Sequence, residues 1–333
     1  MKVAVIGTGS WGTAVAWLLA QNAHEVRAWS HGQATADAIN TTQRNPRYLT
    51  DLDLTGITSS TSFEEVCEGA RVVIMVTPSV NVREVAEQLK PHISCDTPVV
   101  MLSKGIERET GMLLTEICAD VFGSGQLIAA LSGPNHAEEV SRGLPAATVV
   151  ASDDAVCAEF VADLFRNDFF RVYTSDDVCG VELCAASKNI IAIANGISAG
   201  MGYGDNTSAV IMTRGLAEMS RLVIALGGNP LTCMGLAGMG DLIATCSSRH
   251  SRNRSLGELI AQGGTLAQFE ERTHMVAEGA HAALSVTDLA RKKGVDLPIA
   301  NAVRAVLWEG RPPADMLDEL MLRPPKPELE GLR

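Results

Sequence analysis

Two lysines, an aspartate and a short run of arginines are the residues of this chain best equipped for chemistry. Lys188 lies inside Cys184-Ala185-Ala186-Ser187-Lys188-Asn189-Ile190-Ile191-Ala192, and its helical neighbours Cys184, Ala192 and Asn195 form a small, uncharged face. Either its aliphatic stem packs there while the ammonium reaches water, or the amine itself is desolvated. Desolvation disfavours the charged form and moves a lysine toward the working range of a proton donor or acceptor. Lys104, in Ser103-Lys104-Gly105, follows an apolar run at the strand end where α/β sheets bind ligands; otherwise it is an exposed loop lysine. Asp241, on the glycine-rich turn Gly238-Met239-Gly240-Asp241-Leu242, is suited to orient a lysine or to accept from a hydroxyl. Arg249-His250-Ser251-Arg252-Asn253-Arg254 places fixed positive charge immediately before a helix. That arrangement suits a phosphate group, with a solvated basic patch as the alternative. Glu278, in Val276-Ala277-Glu278-Gly279, is ambiguous by itself.

A second constellation opens the chain. The apolar run Lys2–Ile6 leads into Gly7-Thr8-Gly9-Ser10-Trp11-Gly12 and then into a small-residue helical stretch, Thr13–Ala20. Strand, glycine turn and helix in that order are the context of a dinucleotide-binding turn. Gly7 makes the tight turn, Gly9 admits the backbone to a pyrophosphate, and Gly12 allows close helix–strand packing. The pyrophosphate then rests on the free N–H groups of the helix N-terminus. Gly133-Pro134-Asn135-His136-Ala137-Glu138-Glu139 has a similar position after a strand, and either receives an anion or is a plain turn. Selectivity for NAD usually comes from a carboxylate about twenty residues beyond the glycine turn. Here Trp29-Ser30-His31-Gly32-Gln33 supplies none before Asp37, whereas His31, Arg44 and Arg47 tolerate a 2′-phosphate. The expectation leans to NADP and keeps NAD open.

The elements that must position these residues fall into two blocks. Up to about residue 175 the chain alternates strand-like and helix-like segments: strand-like segments at Glu25–Trp29, Arg71–Val76, Pro98–Leu102, Leu127–Leu131, Ala147–Val150 and Phe170–Tyr173, with helices at Asn81–Leu89, Gly111–Phe122 and Val156–Arg166. Continuous apolar strands and β/α alternation predict a doubly wound α/β sheet of the Rossmann-like kind. Beyond about Gly180 the pattern is helical throughout: Val181–Ala199, Ala209–Leu226, Leu256–Ala261, Ala280–Lys293 and Pro298–Trp308. The proline-rich stretch Arg323–Pro327 reads as extended. The expected division is a dinucleotide-binding domain over 1–180 and an all-α substrate-binding domain over 181–333, with the active site in the cleft between them.

Composition narrows the partners. A net charge of −12 over 333 residues argues against a nucleic-acid partner. No uninterrupted apolar segment approaches the roughly 20 residues that span a bilayer. The chain begins as a strand rather than as a signal peptide, so the expected compartment is the cytoplasm. The eight cysteines contain no CxxC pair and the histidines no ligand spacing, so reduced structural thiols and no metal are expected.

Taken together, these segments resemble the bacterial type of NAD(P)-dependent glycerol-3-phosphate dehydrogenase over nearly the whole length. The resemblance rests on Val5–Thr13, Ser103-Lys104-Gly105, Ser132-Gly133-Pro134, Val181-Glu182-Leu183, Lys188-Asn189, Asn206-Thr207, Thr213-Arg214-Gly215, Gly240-Asp241-Leu242, Ser251-Arg252-Asn253 and Val276-Ala277-Glu278-Gly279. It implies that Ser10, Trp11, His31, Tyr48, Ala137, Val276 and Glu278 contact the cofactor. It further implies that Lys104 touches cofactor and substrate, that Gly133 and Asn135 lie on the substrate side, and that Lys188 is the catalytic proton acceptor. Asp241, Ser251, Arg252 and Asn253 match the substrate pocket, with Arg252 reaching the cofactor as well. The implied substrate pair is dihydroxyacetone phosphate and glycerol 3-phosphate, in a cytoplasmic homodimer that supplies phospholipid synthesis. Three positions depart from the family pattern. Asn135 and His136 follow Gly-Pro where Ser or Thr and an aromatic are usual, and Ser208 replaces the usual lysine after Asn206-Thr207.

Overall fold

The computed structural model describes residues 1–273 and 276–332. Its chain divides into two compact units, Met1–Ser103 with Leu114–Val178, and Lys104–Leu113 with Cys179–Arg333. The segment Lys104–Leu113 therefore belongs with the second unit, a correction to the expectation of contiguous blocks over 1–180 and 181–333. The tie from Lys104 to Asp241 joins it to that unit, and its own bridge, Ile106 to Leu113, closes the segment on itself.

The first unit is one sheet of eight strands: β1 (Lys2–Ile6), β2 (Glu25–Trp29), β3 (Thr58–Ser60), β4 (Val73–Met75), β5 (Val99–Met101), β6 (Ile128–Ser132), β7 (Ala146–Ala151) and β8 (Phe170–Ser175). Their order is β3-β2-β1-β4-β5-β6-β7-β8. All neighbours are parallel except β6 and β7. Val5 of β1 faces Ala28 of β2 on one side and Ile74 of β4 on the other. The chain order thus reverses direction across β1, which is where doubly wound sheets bind ligands. Helices α1 (Ser10–Gln21), α2 (Gln33–Thr42), α3 (Phe63–Cys67), α4 (Val82–Leu89), α5 (Leu114–Phe122), α6 (Ala137–Val140) and α7 (Ala155–Phe165) connect the strands. The core carries Val5, Leu18, Leu19, Ile74, Val100, Phe165 and Phe170, each essentially inaccessible to water.

The second unit is helical: α8 (Val178–Gly200), α9 (Asp205–Ala225), α10 (Asp241–Ser247), α11 (Arg252–Ala261), α12 (Leu266–Thr273), α13 (Glu278–Lys292), α14 (Pro298–Trp308) and α15 (Pro313–Met321). Helix α8 is long and apolar enough to cross a membrane, but 83% of its apolar window is buried in the structure. A Cβ on Gly196 would meet the Arg254 carbonyl oxygen at 2.0 Å, and one on Gly257 would meet that of Ile193 at 2.2 Å. These two glycines let α8 and α11 touch backbone to backbone, which brings the residues opening α11 alongside α8.

Several boundaries differ from expectation for local reasons. The helix expected from Gly111 starts at Leu114, because Gly111 adopts a left-handed φ of 80°. Strand β3 was not expected: its three residues, Thr-Ser-Ser, are polar and sit at the sheet edge. Helices α2, α3, α10, α12 and α15 also lie outside the expected set, being short or polar.

The glycine turn is sterically obligatory at two of its three positions. Gly7 has φ 119°, and a Cβ on Gly12 would sit 2.0 Å from the Gly7 carbonyl oxygen. Gly9 has φ −67° and nothing within 4 Å of a Cβ. Gly12→Ala should lower unfolding stability by about 1–3 kcal/mol through overpacking. Gly9→Ala should keep near-wild-type stability and weaken dinucleotide binding instead. Denaturant midpoints and dinucleotide titrations of the two variants read the difference.

Candidate active site

The second unit buries a three-membered charge cluster. Asp241 begins α10, directly after a five-residue π-helical turn, Leu236–Gly240, closed by a Gly240 N–H to Gly235 carbonyl bond of 3.1 Å. Such turns recur where a functional side chain must be re-aimed. The Asp241 carboxylate is 3% exposed and accepts from both lysines: Lys188 Nζ to Oδ1 at 2.8 Å and Lys104 Nζ to Oδ2 at 2.6 Å. Lys188 also donates to Thr245 Oγ1 at 2.7 Å, and that hydroxyl donates onward to Asp241 Oδ1 at 3.2 Å.

The surroundings decide between the two readings of Lys188. Its side chain is 8% exposed and its ammonium ends on buried oxygens, so the amine does not reach for water. Burial pushes its pKa down from 10.5 to about 8; Asp241 pulls it back up, and the nearby Lys104 ammonium lowers it further. Burial acts to raise the Asp241 carboxyl, but the charges and hydrogen bonds of Lys104 and Lys188 override this and hold it below the usual range. With both lysines protonated the cluster carries one net positive charge. A buried amine balanced near neutral pH, beside an excess positive charge, is equipped to pass a proton to an anionic substrate.

Asp241 thus accepts from two lysines and from the Thr245 hydroxyl. Thr245 went unrecognised, because the short helix that places it one turn after Asp241 was not foreseen. The basic run resolves into separate parts. Ser251 caps α11, its hydroxyl accepting the Arg254 N–H at 3.2 Å. The Arg254 guanidinium is occupied by Glu258 Oε1 at 2.9 Å and the Ser247 carbonyl at 2.9 Å. Arg252 is exposed in the first turn of α11. Asn253 donates to Asn189 Oδ1 at 2.9 Å and accepts the Gly279 N–H at 3.1 Å, linking α8, α11 and the start of α13, which Glu278 opens. Val276 lies in the connection before α13, while His274 and Met275 fall outside the described residues.

In the first unit, Ser10 and Trp11 open α1, whose N-cap is Gly9 with no side-chain hydrogen bond to the helix. The open space around Gly9 and the side-chain-free cap fit a pyrophosphate, so these residues suit the dinucleotide that the turn implies. Ser10 Oγ donates to Glu138 Oε1 at 3.4 Å, next to Ala137 at the start of α6. His31 is exposed just beyond β2, with its ring edge-on to Trp29. The Tyr48 N–H donates to Asn45 Oδ1 at 3.2 Å. Gly133 lies against β7, where a Cβ would come within 2.9 Å of Thr148 Cα. Asn135 donates to the Ala147 carbonyl at 3.0 Å, so its carboxamide ties its own loop to β7.

The cluster predicts unequal costs of truncation. Asp241→Ala strands two ammonium groups, one of them fully buried, and should destabilise the fold by about 3–5 kcal/mol. Lys188→Met leaves Asp241 with Lys104 as partner and should cost clearly less. Urea unfolding of both variants measures the order.

The family model for the NAD-dependent glycerol-3-phosphate dehydrogenase N-terminus matches residues 2–158, and the C-terminus model matches 177–318. A glycerol-3-phosphate dehydrogenase [NAD(P)+] of Salinibacter ruber is 46% identical, covering 100% of this chain and 98% of its own length. That of Chlorobium limicola is 44% identical over 99% of this chain and 100% of its own. The crystal structure of glycerol-3-phosphate dehydrogenase from Coxiella burnetii superposes with a TM-score of 0.93 at 36% identity, covering 97% of this chain and 99% of that one. The chain belongs to the NAD-dependent glycerol-3-phosphate dehydrogenase family, whose members are NAD(P)-dependent oxidoreductases.

Proposed function

We propose that this chain reversibly reduces dihydroxyacetone phosphate to sn-glycerol 3-phosphate with NADPH or NADH. The observation that carries the reading is the buried Lys188 amine, brought down to about pKa 8 and aimed by Asp241 and Thr245. The backbone of Gly7, Gly9 and Gly12 with Ser10 and Trp11 would hold the dinucleotide, and His31, Tyr48, Ala137, Val276 and Glu278 complete the proposed contacts. When bound, the reduced dinucleotide supplies hydride to the ketone carbon. The charge that then develops on the ketone oxygen needs a proton, which Lys188 donates from Nζ. Lys104 stabilises that charge with its ammonium, and Asp241 keeps both amines in place. In the oxidative direction neutral Lys188 accepts the proton of the C2 hydroxyl. Arg252, at the N-terminus of α11, supplies a fixed charge for the phosphate, and Ser251, Asn253, Gly133 and Asn135 complete the proposed substrate set. By family resemblance we place the enzyme in the cytoplasm as a homodimer whose product feeds phospholipid synthesis.

Lys188→Met should lower kcat by about 10²–10⁴, the range lost with a general acid–base group. Dinucleotide affinity should persist, and near-wild-type turnover would reject the assignment. In the wild type, reduction needs the ammonium form, so its rate should fall as pH rises through about 8, while oxidation should rise through the same region. Asp241 raises the Lys188 pKa, so Asp241→Asn should move both profiles to lower pH.

Arg252→Ala removes a charge-assisted contact, and should raise KM for the phosphorylated ketone about tenfold or more. Steady-state titration with dihydroxyacetone phosphate reads this, and an unaltered KM removes Arg252 from the site.

A further inference from the structure

Asn45 is fully buried, yet it lies in a polar loop, Arg44-Asn45-Pro46-Arg47-Tyr48, between α2 and β3. Its carboxamide is used at both ends. Nδ2 donates to the Thr8 carbonyl at 2.9 Å and to Thr13 Oγ1 at 2.8 Å. Oδ1 accepts the N–H groups of Arg47 at 2.9 Å and Tyr48 at 3.2 Å. Thr8 is inside the glycine turn and Thr13 is on α1. One side chain therefore clasps the loop carrying Arg47 directly onto the turn.

The end of β2 offers nothing to a free ribose 2′-hydroxyl of the kind a carboxylate gives. Ser30 stands there instead, wholly buried, its hydroxyl hydrogen-bonded to Thr8 Oγ1 at 2.8 Å and to Ser59 Oγ at 2.9 Å. The nearest downstream carboxylate, Asp37, accepts from Gln33 Nε2 at 2.8 Å on α2. Of the two arginines in the loop, Arg44 is occupied, donating to the Asp51 carbonyl at 2.6 Å. Arg47 is exposed, and its guanidinium makes no hydrogen bond among the described residues.

We propose that Asn45 is a positioning residue for recognition of a 2′-phosphate on the dinucleotide, fixing Arg47 at a set offset from the glycine turn so that its guanidinium meets that phosphate. The proposal rests on the turn being the dinucleotide site. Guanidinium pairs with phosphate through paired N–H donors in a fixed fork, so its contribution depends on where the backbone carries it. A loop merely near the turn would leave Arg47 to sample many positions. The Asn45 clasp removes that freedom before any nucleotide arrives.

The test uses the full-length protein and calorimetric titration with 2′-phospho-AMP and AMP, which report on the adenosine end without turnover. Arg47→Gln should reduce the preference for the phosphorylated nucleotide about tenfold or more, as expected for loss of one charge-assisted contact. Asn45→Ala should reduce it similarly, and adding Arg47→Gln to Asn45→Ala should bring little further loss. KM for dihydroxyacetone phosphate should move less than twofold in either single variant, a split that general unfolding of the unit would not give. Asn45→Asp preserves size and the two accepted N–H bonds but sets a carboxylate against the Thr8 carbonyl; it should also lose selectivity. Wild-type selectivity in Arg47→Gln alone overturns the proposal, whatever the folding of the Asn45 variants. So does wild-type selectivity in a folded Asn45 variant. Failure to reduce the ketone phosphate would reject the reaction assigned above and leave these nucleotide titrations intact.

Discussion

One buried carboxylate with two ammonium groups on it is the constraint around which the second unit is arranged. Asp241 is buried from solvent, and a lone ion at such a depth is prohibitively costly. Lys104 and Lys188 remove that cost, one on each oxygen. The pairing sets three features at once. It fixes where both amines point, it keeps Asp241 ionised, and it leaves Lys188 with a pKa near the pH at which a cell operates. A desolvated lysine without the aspartate would fall lower still; an aspartate without the second lysine would leave the cluster no surplus positive charge. The cluster is therefore a compromise between stability and reactivity, of the sort found where a group must change its protonation state.

The first unit reaches specificity by a different route, with neutral groups and backbone geometry. Gly7 and Gly12 are required because no side chain fits, whereas the space beside Gly9 is open. Around them runs a chain of small hydroxyls and amides: Thr8, Thr13, Ser30, Asn45 and Ser59. Each is buried or nearly so and each is satisfied. Such a network is rigid, because breaking any link leaves a polar atom unpaired. Rigidity is what a backbone-based phosphate site requires, since its donors are N–H groups that cannot be re-aimed one by one.

Much of this was legible in the sequence, and the exceptions have identifiable causes. Strands β1, β4, β5 and β6 were readable because burial on both faces leaves continuous apolar runs. Strand β3 was not, since an edge strand of Thr-Ser-Ser carries no such signature. The glycine turn and Lys188 declared themselves through local pattern, one by spacing and the other as a charge on an uncharged helix face. Their partners did not. Asp241 is 53 residues from Lys188 and 137 from Lys104, and no periodicity connects positions so far apart. Asn45 had only the turn-forming Asn-Pro dipeptide to mark it, which reports on the local backbone and not on the glycine turn it grips. Within the basic run, adjacency in sequence does not reveal that Arg254 is committed to Glu258 and to the end of α10.

The excursion of Lys104–Leu113 out of the first unit also bears on how the molecule is made. Synthesis delivers β1 through β5 and then these ten residues, whose companions are still unformed. Because domains tend to organise from the N-terminus as the chain emerges, the sheet has material to work with early. Lys104, by contrast, must wait for more than a hundred further residues before its counter-ion exists. The buried charge cluster can be assembled only when α10, which carries Asp241, is complete. A truncated nascent product therefore lacks the three-membered charge cluster, even if its sheet has already folded.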